Sequence, residues 1–556
     1  MRKSYQQSIN YFRQVNWMLL LFLLLMLNVK LVVKVAAILF ILIANYKSIS
    51  WKNIRQQRLI FFYVAMIGIA GINFLLQVNQ FSLNYSIAAF FGVSLWILAA
   101  IAGFFLYIIV QKDSKQRLHR TIELFFILHI AVIGINLLMI ILETGALNPY
   151  TYKGINQKYY INTGDYITGI TFDTPVSTAM ISAFGLLYFL YRRCYLLSMA
   201  AMASLLLIGS NVTNMLFIAI LILTFFLYTN KAQKSIIVVC ICLLIFFVTK
   251  ISPQNNEYVG RFLYKIMGKN YDRPERNKSL EFIVQQPDSL LNDEEKRNKA
   301  AKLFVDSISM VKAALAKANT HDKFAITAQF ALLRFSKNQL LPEEVKKDRE
   351  YTPSLLVIDK INKYKEYLAT EYANDSLRLA GNYDWNKPGK WIAALQLIHF
   401  LKDHPAKTLF GAGIGNLSSR TAFKATTLGI SGAYPNKFRY IHPWFHDNHL
   451  FIYVFFFAQQ EQKHSAVNTP DSTYYQLLGE YGIAGVLAFL FFYLGYFLKR
   501  GKYMSYGLPV LLLLLAAFCV EYWFEQLSVV ILAELLLFLD VRFPSKNDQH
   551  GEEQPV

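Results

Sequence analysis

Residues 86–110 read SIAAFFGVSLWILAAIAGFFLYIIV, a run of 25 residues without one charged side chain. A bilayer span needs roughly 20 mostly apolar residues, and this stretch meets that requirement alone. Outward from it, apolar blocks recur at about 15–29, 31–46, 58–77, 122–142, 175–191, 195–209, 212–229 and 235–251, and again at 483–498, 504–521 and 526–540. Together they predict an all-α polytopic membrane protein of about twelve transmembrane helices. The expected organisation is an N-terminal bundle over 1–251, a polar insert over 252–482, three further helices over 483–541 and a tail over 542–556.

Composition agrees. The 556 residues are 55% hydrophobic and 17% charged, with a mean hydropathy of +0.32. A soluble domain of this length needs more charged surface. The net charge of +20 would suggest nucleic acid in a soluble protein, but here much of the excess lies in short loops between apolar blocks. There it reads as a topology signal beside anionic lipid, and nucleic acid is excluded as a partner.

Those loops alternate. Basic residues mark the N-terminus (Arg2, Lys3, Arg13) and the connections carrying Lys47–Arg58, Lys112–Arg120, Arg192–Arg193, Lys231–Lys234 and Lys499–Lys502, whereas 78–85, 210–211 and 522–525 carry no Lys or Arg. The positive-inside rule then puts both termini in the cytoplasm and the insert outside. The first two blocks are short, with Lys30 and Lys34 between or within them; a hairpin there keeps every later loop consistent.

All four cysteines (Cys194, Cys240, Cys242, Cys519) lie in or beside apolar blocks. An external insert would therefore fold without disulfides. The Cys240/Cys242 spacing is a weak metal signal, and the first block lacks the cleavage site of a signal peptide. Within the insert, 293–318, 322–337, 354–372 and 388–401 carry helical periodicity, so it should be a mainly helical domain. Leu450–Ala458 is too short to span and reads as a core or interface segment.

The chemistry concentrates in Lys387–Gly485. Lys387-Pro-Gly-Lys390-Trp391 opens a helix that runs to His404-Pro405. Gly411-Ala-Gly-Ile-Gly415-Asn416 follows, and Tyr474-Tyr-Gln-Leu-Leu-Gly-Glu480-Tyr-Gly482 leads to Gly485 and into a span. The glycine run follows a helix and a proline rather than a buried strand, so a dinucleotide loop is a poor reading. A tight turn or a backbone-lined anion site remains. His442, His446 and His449 with Asp447 match no firm metal template.

In this order and context the segment resembles the O-antigen ligase and O-antigen polymerase family, whose members pair a basic residue and a Trp-led helix with a Pro, a Gly-x-Gly-x-Gly turn and a Tyr-x-x-x-Leu-x-Glu-x-Gly-x-x-Gly entry to a span. Trp391, Pro405, Gly411, Gly413, Gly415, Asn416, Tyr474, Leu478, Glu480, Gly482 and Gly485 carry the resemblance. It implies a GT-C-like, metal-independent glycosyltransferase of a bacterial inner membrane that needs no cofactor and keeps its large loop in the periplasm. The donor would be an undecaprenyl-diphosphate-linked glycan and the acceptor a second glycan or a lipid A core, with a chain-length regulator as a further partner and a slight preference for polymerase. Two positions depart from the family pattern. Gly209-Ser210-Asn211 stands where members carry Ser-Arg, and Asp471-Ser472 stands where members carry His-Asn.

The resulting candidates are His464, Asp471 and Glu480 for catalysis, and Arg378, Lys387, Lys390, Arg420, Arg439 and Tyr474 for the diphosphate or substrate. Each has a plainer reading: Asp471 as a helix N-cap, His464 as a solvated loop residue, Glu480 as an anchor at the membrane mouth, the cations as surface charge. Glu123, His129, Glu521 and Glu525 carry no clear message. A flippase of lipid-linked glycan is the rival class, but the large insert and the absence of a visible pseudo-repeat speak against it. A non-catalytic scaffold is the third.

Overall fold

The structure, a computed structural model, describes residues 11–76, 82–151, 167–227, 229–252, parts of 284–303, and 355–372, 387–428, 432–458, 466–501 and 504–543. The chain divides into two compact units. One contains residues 1–152, 158–255 and 353–556, and the other residues 153–157 and 256–352. The boundary thus falls near 352, whereas the sequence pattern places it at 482: the C-terminal part of the polar insert packs with the apolar helices. In the smaller unit, Lys299 Nζ bridges the Asp288 carboxylate at 2.8 Å and the Gln286 carbonyl at 2.7 Å. The helix expected over 322–337 and most of that over 293–318 lie outside the described residues.

The larger unit is helical. Its longer helices are α1 (Trp17–Met26), α2 (Leu31–Asn45), α3 (Ile60–Leu76), α4 (Leu83–Lys112), α5 (Lys115–Thr144), α6 (Pro175–Tyr191), α7 (Tyr195–Ile208), α8 (Asn211–Leu227), α9 (Lys231–Phe246), α10 (Leu355–Glu371), α11 (Gly389–Asp403), α12 (Phe451–Phe457), α13 (Thr473–Ala488, continued helically to Leu498), α14 (Gly507–Ala517) and α15 (Ser528–Arg542). Among the described residues no strand occurs. Five helical segments are long and apolar enough to cross a membrane: Leu31–Ser48, Leu83–Lys112, Lys115–Thr144, Lys231–Ile251 and Thr473–Leu498.

The ends follow local chemistry. Ser82 and Ser114 cap α4 and α5 by accepting the Tyr85 and Arg117 amides. Asn230 and Gln233 form a reciprocal capping box at α9, satisfying amides a helix start leaves without partners. Gly145 and Gly209 close α5 and α7 in the left-handed conformation.

Burial sorts the helices. α6 and α15 are enclosed on all sides, with Ala179–Leu190 and Ser528–Asp540 buried throughout. A helix apolar all round belongs at the centre. On the outside the polarity is inverted relative to a soluble protein: Val32, Ile43, Leu142 and Phe226 lie exposed. So large an apolar surface calls for lipid. One polar link crosses this core, where the Tyr63 hydroxyl donates to the buried Glu534 carboxylate at 2.5 Å.

Leu450–Ala458 resolves as core. Phe451, Tyr453 and Val454 of α12 pack with Tyr364, Tyr367 and Tyr372 at α10 and with Phe423.

The chain is also wedged into the bundle by Thr408–Gly415, a non-helical stretch between α3, α4 and α13. Its Ile414 side chain lies against Gly92 of α4, and the Phe410 carbonyl accepts from Asn73 of α3 at 2.5 Å. Gly411 and Gly482 meet back to back, both with positive φ (82° and 66°). A Cβ on Gly411 would stand 2.5 Å from the Glu480 carbonyl oxygen, and one on Gly482 2.5 Å from the Gly411 nitrogen. Neither position tolerates a side chain, because both obstacles are backbone. Gly411→Ala and Gly482→Ala should each destabilise the fold by about 2 kcal/mol or more through strain and clash, seen as a large drop in melting temperature of the detergent-solubilised protein. Gly68→Ala, with nothing within 4 Å of the new Cβ, should leave it unchanged.

Candidate functional site

The wedge sets the site's floor. Most of its amides find acceptors within the chain. Gly411 donates to the Lys407 carbonyl (2.7 Å), Ala412 to Gly479 (2.8 Å) and Gly413 to Glu480 (3.0 Å). In return Ile483 and Ala484 donate to the Thr408 and Leu409 carbonyls, both at 2.9 Å. The fully buried Glu480 carboxylate then accepts from the Gly415 amide at 2.9 Å and the Leu417 amide at 3.5 Å. The acceptor that this glycine run cradles is therefore the protein's own Glu480 carboxyl group. That excludes the reading of the run as a bare backbone site for phosphate, and it makes Glu480 the anchor of the loop rather than a group open to substrate.

Beyond the wedge, Ser419 caps the short helix Arg420–Ala425 by accepting the Ala422 amide at 3.0 Å. Arg420 and Lys424 are four residues apart and project from one side of it. Around them stand side chains from distant parts of the chain. Glu525 accepts from the Thr421 amide and hydroxyl and from Gln476 Nε2, each at 2.9 Å. Glu521 accepts from Gln526 Nε2 (2.9 Å) and Asp173 from the Ser528 hydroxyl (2.9 Å). Asp471 accepts from the buried Tyr453 hydroxyl. Lys390 donates to the Asp471 and Val520 carbonyls, the latter at 2.9 Å, and Lys34 to the Met26 carbonyl at 3.0 Å.

Four cations and four carboxylates thus gather at one end of the bundle, where α2, α4, α6, α13 and α15 begin. Arg420 and Lys424 differ from the other two cations. Among the described residues neither has a carboxylate oxygen within 4 Å, nor does either side chain donate a hydrogen bond. Both are half-buried rather than sealed. Burial alone would lower the Arg420 guanidinium, but Glu521, Asp173, Asp471 and Glu525 more than offset it and raise its pKa. Burial, then the Arg420 charge, pushes the Lys424 ammonium down to about 8 against Glu525 and Asp173. Burial likewise lowers Lys390, with Asp471 and Glu521 opposing.

The residues expected from sequence separate accordingly. Arg420, Lys390 and Asp471 come together. Asp471 is not the N-cap of α13: Ser472 fills that place, accepting the Tyr474 amide at 3.2 Å, which leaves the Asp471 carboxylate to the site. Lys390 spends its ammonium on carbonyls and ties α11 to 471 and 520. Tyr474 donates to the Leu515 carbonyl at 2.8 Å and packs on Phe489 and Phe518, fastening α13 to α14. Lys387 is exposed over the Trp391 ring at 5.9 Å. Arg439 is exposed, its carbonyl taken by Asn84 at 2.9 Å. His464 and Arg378 lie outside the described residues.

The histidine cluster disperses. His446 meets Asp447 at 2.8 Å, His442 accepts the Trp444 amide and His449 faces the Ala393 carbonyl. Burial pushes His442 and His449 down to about 4. Among the described residues no trio of His, Cys, Asp or Glu is placed to hold a metal. Sequence reasoning passed over Lys34, Asp173 and Lys424, and gave Glu521 and Glu525 no role. The one local signal was the i, i+4 spacing of Arg420 and Lys424.

Compared with family models, curated proteins and solved structures, the chain matches none of them.

Glu480→Ala should cost about 2 kcal/mol by leaving the Gly415 and Leu417 amides buried without an acceptor. Thermal unfolding and limited proteolysis between 408 and 420 would register the loosened loop, and Glu480→Gln should recover part of the loss.

Proposed function

We propose that this protein is a membrane glycosyltransferase that acts on undecaprenyl-diphosphate-linked glycan at the outer face of a bacterial inner membrane, as an O-antigen or surface-polysaccharide polymerase or ligase. On this reading the chain crosses the membrane about twelve times with both termini inside.

The observation that carries the reading is the pair Arg420 and Lys424, cations with no counter-ion within 4 Å among the described residues, held in a ring of carboxylates. Two adjacent positive charges suit a diphosphate. Their position supports the membrane side: the basic loops 47–58, 112–120 and 192–193 join the opposite ends of the helices that begin at the cluster. By the positive-inside rule that opposite end is cytoplasmic.

The reaction follows from these groups. The acceptor hydroxyl oxygen bonds to the anomeric carbon of the donor while the bond from that carbon to the diphosphate oxygen breaks. The electron pair leaves with the diphosphate, where Arg420 and Lys424 stabilise the growing charge. The hydroxyl proton passes to a carboxylate. Asp471 is the base we assign, oriented by Tyr453. No nucleotide is required, because cleavage of the donor's glycosyl–diphosphate bond supplies the driving force.

Arg420→Ala should lower glycan transfer by about 100-fold or more, a loss typical of removing a preorganised charge from a developing anion, with Arg420→Lys retaining part. Deletion of the gene should remove either the polysaccharide ladder, leaving single repeats on the core, or all capped core. An unchanged surface-glycan profile would sink the proposal.

The pH dependence has a definite sign. Lys424 is charged below about 8 and neutral above it, so donor binding should weaken as pH rises through about 8. Lys424→Arg, whose guanidinium stays charged, should abolish that decline in a binding titration with lipid-linked donor.

A further inference from the structure

We propose that one face of α11 rests in the headgroup–acyl boundary of the bilayer, in the leaflet where α13 enters. α11 buries Ile392, Ala393, Leu397 and Phe400 against the protein. A soluble helix would turn polar residues outward, but this one presents Trp391 (54% exposed), the half-buried Leu395 and Ile398 (58% exposed), spaced four and three apart along one stripe.

Exposed apolar side chains recur beyond α11. Beyond the end of α11, Leu409 is 54% exposed. Its carbonyl accepts the Ala484 amide and that of Thr408 accepts the Ile483 amide, which places Leu409 beside Ile483 on α13. Ile483 and, one turn further, Leu487 are also exposed, and both belong to the apolar span Thr473–Leu498. Exposed apolar side chains therefore lie on α11, at Leu409 and on the part of α13 joined to it, and on a membrane span the cover for such side chains is lipid.

The polar flanks agree. Lys387 and Lys402 stand exposed at the two ends of the stripe, where long basic side chains reach anionic headgroups while their stems follow the apolar surface. Trp391 at the upper end suits the interfacial zone that indole rings favour. The inference depends on no enzymatic role for the chain.

The test attaches a nitroxide to Trp391→Cys and, separately, Ile398→Cys in the full chain, with Cys194, Cys242 and Cys519 replaced by Ser. Cys240 is buried and stays. The labelled protein, checked for monodisperse elution, is placed in nanodiscs of phosphatidylethanolamine and phosphatidylglycerol. Power saturation then compares collisions with oxygen, which concentrates in lipid, and with a water-soluble nickel chelate. Leu487→Cys serves as the lipid reference and Lys437→Cys, on an exposed turn, as the water reference. The expected result is an oxygen preference at 391 and 398 shifted toward that at 487, the stronger shift at 398. Labels that match 437, or that are shielded from both reagents as a covering protein copy would shield them, overturn the proposal.

Discussion

A segment of open backbone inserted among apolar helices must find a partner for every amide and carbonyl it carries, because no water is there to supply one. Thr408–Gly415 is that segment here, and the rest of the site depends on how it is satisfied. The α13 helix provides the partners by interrupting itself. At Gly482 the backbone leaves helical geometry (φ 66°, ψ −164°), which frees the carbonyls of Gly479 and Glu480 and the amides of Ile483 and Ala484 for the incoming loop. The two glycine-containing motifs are thus halves of a single backbone joint. Glycine at 411 and 482 is required by the close approach rather than by any ligand.

Glu480 completes the joint from the side-chain direction. A carboxylate buried in this way needs strong donors, and the Gly415 and Leu417 amides provide them. This arrangement fixes the chain immediately before the Arg420–Ala425 helix, so the two charges on that helix are positioned by a carboxylate that does not itself face the site. The ionisable groups then fall into two kinds. Glu480, Lys390 and Glu525 make hydrogen bonds within the protein and hold segments together. Arg420 and Lys424 are held close to carboxylates without direct pairing. Long-range attraction stabilises the Arg420 charge and offsets part of the burial that lowers Lys424, while the donors of both stay free, a combination that suits an anionic ligand better than sealed ion pairs would.

Helices were legible in the sequence because apolar length and periodicity are local properties. The blocks at 175–191, 195–209 and 31–46 correspond to α6, α7 and α2 within a residue or two, and the amphipathic stretches at 354–372 and 388–401 to α10 and α11. A resemblance carried by spaced glycines and Glu480 drew attention to residues 387–485, yet it could not say that those glycines serve packing and that Glu480 faces the loop.

What the sequence by itself determined is an apolar helical chain with its positive charge segregated into alternate connections, since both features follow from the solvent each residue must meet. Tertiary structure alone decided the membership of the site. Lys34, Asp173, Arg420, Asp471 and Glu525 are separated by up to hundreds of positions, and each looks like an ordinary helix-end or loop charge in isolation. Their grouping arises because helices packed side by side begin at one level. The spacing that creates the cluster is therefore set by bundle geometry and by the wedge at 408–415, neither of which leaves a periodic trace in the chain.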